Sequence, residues 1–118
     1  MLDEVCMRWL GYEQKRNPGH PGLVWERDLI WTPDVHAFST DCGAAMRLAK
    51  EMATAVQSET TKLVVWPFFR AVWIEHDNNG QLRADDLTEP AEELELSISR
   101  ACATLEARGI PRTNQETK

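Results

Sequence analysis

Residues 38–57, FSTDCGAAMRLAKEMATAVQ, decide the fold. Apolar residues recur at Ala45, Leu48, Met52 and Ala55, and Cys42, Met46, Ala49, Ala53 and Val56 widen the stripe. The 3.6-residue period holds for about four turns, with charge at Arg47, Lys50 and Glu51. Ser39, Thr40 and Asp41 are three adjacent N-cap candidates, and Asp41 also sets a negative charge at the positive end of the helix dipole. The many alanines allow close approach to a sheet. The stretch therefore predicts a central packed helix over about 41–57, with Leu48 and Met52 in the core.

Downstream, Leu63-Val64-Val65-Trp66 is an unbroken β-prone run, which predicts a strand buried on both faces, with Pro67 either ending it or holding it to a sheet edge. Residues 71–75 alternate, with Val72 and Ile74 on one side and Trp73 on the other. Asn79-Gly80 is a strong hairpin signal, returning the chain through residues 81–84. A closing helix over about 92–108 carries Leu94, Ile98, Ala101, Cys102 and Leu105 on one stripe, with Gly109 as its C-cap. Upstream, residues 1–10 form a short helix that docks through Trp9 and ends at Gly11. Residues 13–22, EQKRNPGHPG, read as a polar loop. The patches Leu23–Trp25 and Leu29–Trp31 read as two small strands or one bent segment, and Thr32-Pro33-Asp34 turns the chain towards the central helix. The expectation is one α+β domain over 1–110 with a small, predominantly antiparallel sheet, followed by a flexible tail over 111–118. Its core includes Trp9, Leu48, Met52, Ile98 and Leu105.

Composition narrows function mainly by exclusion. The 118 residues carry a net charge of −6, which disfavours nonspecific contact with nucleic acid or anionic membrane. Neither a leader-type N-terminus nor an apolar run of membrane length is evident, so a cytoplasmic location is expected. Cys6, Cys42 and Cys102 are odd in number and widely spaced, as reduced core thiols are. Five tryptophans are many for this length, and each large ring needs a core or an interface around it.

Chemistry-bearing motifs are missing. The His and Cys residues at 6, 20, 36, 42, 76 and 102 lack the paired spacing of a zinc site. His36 with Asp41, and His76 with Asp77, are better read as a cap region and a solvated turn than as acid–base pairs. Asp77-Asn78-Asn79-Gly80 does not follow the EF-hand spacing. No catalytic residue, metal or cofactor is expected, and the chain does not read as an enzyme. The distinctive feature is acidic: Asp85, Asp86, Glu89, Glu92, Glu93 and Glu95 place six carboxylates within eleven residues with no base among them. They form either a solubilising hairpin exit with an acidic first helical turn or a docking face for a basic protein surface. An aromatic surface around Trp25 and Trp31 is the alternative contact.

The segment FSTDCGAAMRLAKEM, preceded by Trp31 and Pro33, resembles the hallmark segment of the phage ABA-sandwich domain family. Leu10-Gly11-Tyr12 is similar to that family's Met-Gly-Trp helix exit, and Leu96–Ala103 to its C-terminal helix. Order and spacing agree over residues 1–108, while Tyr12 replaces the usual Trp and Glu92-Glu93-Leu94-Glu95 stands where shorter apolar sequence is common. The resemblance implies a layered helix–sheet–helix sandwich, with the sheet between the two long helices, encoded by a phage or prophage. It implies no catalytic residues. The function expected is that of a small acidic phage or prophage accessory protein in the cytoplasm of the bacterial host, acting by contact with a host or phage protein. A structural or virion-associated subunit is the alternative, and an enzyme comes third.

Overall fold

In the computed structural model, which describes residues 1–112, the alanine-rich stretch is helix α2, Cys42–Val56. Before it lie α1 (Leu2–Trp9), β1 (Glu13–Arg16), β2 (Leu23–Arg27) and β3 (Ile30–Thr32). After it come β4 (Thr61–Trp66), β5 (Ala71–Asn78), β6 (Gln81–Thr88) and α3 (Leu94–Ala107). The class is α+β: the described residues form three helices and two antiparallel three-stranded sheets, ordered β1-β2-β3 and β4-β5-β6. Asn79 and Gly80 both have positive φ, the conformation a tight hairpin between β5 and β6 demands.

Side-chain alternation assigns the faces of the second sheet. Leu63 pairs with Ile74 and Val65 with Val72, so these four share a face. Leu87, beside the register shift at Val72/Trp73, joins them in the core. Helix α2 packs on β4 and α3 on β5 and β6, and the two helices also touch each other. The buried side chains Leu48, Met52, Ile98 and Leu105 fill the space between helices and sheet. Helix α1 packs on α3 through this same cluster, and the Trp9 indole donates to the Ile110 carbonyl at 2.7 Å.

The expected order, with the sheet between the long helices, is not the one found. Ala44, Ala45 and Ala49 on α2 and Ala101 on α3 are small and buried, which lets the two helices lie side by side over a single sheet face. Residues 63–66 correct a second expectation. Leu63, Val64 and Val65 are only half-buried and Trp66 is exposed, because β4 is an edge strand with one open face. Third, residues 13–16 are a strand and not a loop. All four are exposed, so main-chain pairing with β2 holds β1 without any buried side. Residues 23–25 and 30–31 of the two apolar patches do enter strands, in this separate sheet, while Leu29 lies in the turn between them.

A polar strap ties the parts together. Arg27 donates to the Leu10 carbonyl at 3.0 Å, pairs with Glu51 at 3.3 Å and stacks over Tyr12 at 5.1 Å. Arg112 reaches the same Glu51 at 3.4 Å, so the chain remains attached to the body at least that far. The rest of the expected tail, 113–118, lies outside the described residues.

Candidate interaction surface

Among the described residues, no helix packs on the second sheet's other face. Alternation directs Val64 and Trp66 of β4, Trp73 of β5, and Leu82, Ala84 and Asp86 of β6 towards it. At one end of the sheet the turn Pro67-Phe68-Phe69-Arg70 adds two more rings. Trp66 meets Phe69 edge-on at 4.7 Å and Trp73 at 5.8 Å, and Phe68 meets Phe69 at 5.1 Å. Edge-to-face geometry of this kind is favourable between rings, so the four hold one another in place. Even so, Phe68 is 79% exposed, Phe69 51% and Trp66 46%.

The turn is anchored from behind. Arg70, at φ +53°, donates its Nε–H to the Ala91 carbonyl at 2.7 Å, and the buried Ser97 hydroxyl donates to the Arg70 carbonyl. These bonds also draw the connection 89–93 against the aromatic turn. A rigidly mounted, solvent-facing aromatic cluster of this size is the kind of surface that partners cover.

The six acidic residues do not share one face. Asp85 lies on the helix-covered side and pairs with Arg108 at 2.9 Å. Asp86 sits opposite Trp73 on the open side. Glu89, Glu92 and Glu93 are exposed in the connection beside the turn, and their carboxylates have no ion pair or hydrogen bond among the described residues. Glu95 is half-buried in the first turn of α3. The open face and its rim thus gather Asp86, Glu89, Glu92 and Glu93, together with Glu75 and Asp77 of β5. Lys62, the face's base on β4, is already paired with Glu75 at 3.4 Å.

The other candidates serve the fold. Asp41 caps α2 by accepting the Gly43 N–H at 3.1 Å. Ser39 donates its N–H and hydroxyl to the Asp3 carboxylate at 3.0 and 3.1 Å, tying the connection to α1, while Thr40 makes a main-chain bond to the Ala37 carbonyl. His36 is wedged between Tyr12 and Phe38, each at 5.6 Å. Its pKa is lowered by burial first, then by the charges of Arg47 and Arg27. Cys6 and Cys102 are fully buried, and a hydrogen bond to Cys6 together with burial pushes the Cys102 thiol up. Cys42 and Met46 are exposed, so the α2 stripe is narrower than its sequence suggests. His76 touches Thr61 at 3.4 Å and opens on a shallow polar hollow of about 340 Å³ with Asp77, Arg83 and Asp85. Among the described residues, no three His, Cys, Asp or Glu side chains gather as a metal site.

No protein-family model matches the chain, and no curated protein or solved structure is significantly similar to it.

Of the six acidic residues singled out in the sequence, Asp86 lies on this face and Glu89, Glu92 and Glu93 beside it, while the aromatic cluster was not anticipated. Trp25, named as an alternative contact, is buried, whereas Trp31 is exposed. The available clue lay in WPFFRAVW, residues 66–73. Pro67 already pointed to an edge strand, and the unread part is the pair Phe68-Phe69 placed in the turn that follows it.

Proposed function

We propose that this chain is a binding protein without catalytic activity, which docks a partner protein on the open aromatic face of β4–β6 and its acidic rim. The observation that carries this reading is the Trp66–Phe68–Phe69–Trp73 cluster, solvent-facing and fixed in place beside three unpaired carboxylates. Aromatic anchors supply affinity and the rim charges select and steer a basic partner. In keeping with the phage-family resemblance, the role is that of a phage or prophage accessory protein acting on a host or phage protein in the bacterial cytoplasm. No helix among the described residues is long and apolar enough to cross a membrane.

A structural or virion-associated subunit is the second reading, favoured by another exposed apolar point. Leu29, 91% exposed, occupies a positive-φ position at the tip of the β2–β3 hairpin, next to the exposed Ile30 and Trp31. Head-to-tail assembly needs two different surfaces on each subunit.

Charge reversal tests the primary reading. Replacing Glu89, Glu92 and Glu93 by Lys takes the net charge from −6 to about 0. Stability is expected to fall by no more than about 0.3–1 kcal/mol per substitution, since Glu92 and Glu93 flank the start of α3. Association with the protein captured from the host is expected to slow sharply at low salt, and wild-type affinity to weaken with ionic strength. Equal, salt-insensitive affinities for both proteins would reduce the acidic connection to a solvated face.

A further inference from the structure

Resting on the docking reading above, we infer that the occupant of the open β4–β6 face is a basic amphipathic helix of the partner. Three features of the face select that shape and charge. Its apolar side chains run diagonally from Trp66 on β4 through Trp73 on β5 to Ala84 and Leu82 on β6. Along the strands this stripe spans the six residue steps from Ala71 to Asp77, about 20 Å at ~3.3 Å per residue. An α-helix covers that length in about 13 residues. Across the strands, the outer pair of a three-stranded sheet stand about 10 Å apart, close to the ~10–12 Å diameter of one helix.

Charge decides the sign. Asp77 and Asp86 flank the stripe and Glu89, Glu92 and Glu93 rim its end. Lys62 and Glu75 cancel as an ion pair, and Arg70, held on the Ala91 carbonyl, is among the described residues the one cation set against those five carboxylates, so the face remains negative. A second copy of this chain is a poor occupant, because face-to-face pairing would oppose those carboxylates and two chains each carrying −6. An added strand is a poor occupant too. It would pair with a sheet edge and leave the aromatic face open. A helix with Lys or Arg on either side of an apolar stripe satisfies both the rings and the rim.

The probe is a Leu/Lys peptide of about 16 residues patterned with helical period. It is compared with the same composition patterned with period two, and with a Glu-for-Lys helix. Binding is read from the indole N–H resonances of the full chain, assigned by Trp→Phe variants. The basic helix is expected to shift Trp66 and Trp73 and to spare Trp9, whose indole is buried against the Ile110 carbonyl. Phe69→Ser is expected to weaken binding about tenfold, as loss of an aromatic anchor does. Trp73→Ala provides a second, independent disruption, and melting curves show that either variant remains folded.

Equal binding of the period-two or acidic peptide would overturn the inference. So would the absence of any Trp66 or Trp73 shift, or sedimentation as a dimer with those two rings protected. If the basic helix fails while the Glu-to-Lys variant still loses its cellular partner, the helix is wrong and the docking surface stands. If both fail, both readings fall.

Discussion

Leu48 shows what a single side chain contributes here. It is 1% exposed, and its neighbours Ala44, Ala45 and Ala49 are buried with it. Alanines cannot swing in to refill a void, so Leu48→Ala is expected to cost about 2–5 kcal/mol in urea melts. Arg47→Ala, one position along on the exposed side, should stay within about ±0.5 kcal/mol. A loss below about 1 kcal/mol at Leu48 would mean that this helix face is not core. Leu48 was legible in the sequence because a helical period reports burial directly. Ser99 was not: it sits on the buried stripe of α3 with its hydroxyl lacking a hydrogen-bond partner among the described residues. A small polar residue carries no periodic mark of that kind. Trp66 was misjudged for the opposite reason. Its hydrophobicity suggested burial, and only the fold reveals that it lies on an open face, touched by Phe69 and Trp73 but still 46% exposed.

At the scale of elements, the three helices and the Asn79-Gly80 hairpin could be read from period, caps and turn chemistry. Strand β1 could not, since a strand exposed on both faces shows no alternation. The packing order was equally hidden. Local periodicity tells which face of α2 or α3 is buried but not what covers it, so two helices over one sheet face read like two helices with a sheet between them. The connection 33–41 holds a consequence of its own. His36, packed there between Tyr12 and Phe38 and facing Arg27 and Arg47, has its pKa held below the usual 6.5. Between that value and the lower folded one, the unfolded chain takes up the proton first. The contribution of His36 is therefore constant above about pH 6.5 and declines as pH falls below it. Wild-type protein should lose more thermal stability than His36→Gln between about pH 7.5 and 5.5. Parallel pH profiles for the two proteins would show that the ring is not desolvated in solution.

The molecule as a whole is flat, with principal extents of 55 × 39 × 21 Å. Its radius of gyration, 15.4 Å, exceeds the about 13–14 Å usual for a compact chain of this length. Two thin sheets and a single helical layer account for the shape, and among the described residues they leave the outer face of β4–β6 without a cover. Of the five tryptophans, Trp9 and Trp25 are in the core, whereas Trp31 and Trp66 are exposed and Trp73 is half-buried on the open face. The acidic half of the candidate surface is a local property and was visible in residues 85–95. The aromatic half depends on tertiary arrangement and was not. The most direct measurement places a photoreactive benzoylphenylalanine at Phe68, on the open face, or at Lys50, on the exposed side of α2, in protein expressed in bacterial cells. A covalent adduct with one discrete protein from position 68, absent from position 50 and abolished by Phe69→Ser, is the expected result. Adducts formed equally from both positions, or an adduct unaffected by Phe69→Ser, would contradict the open face as the site of action.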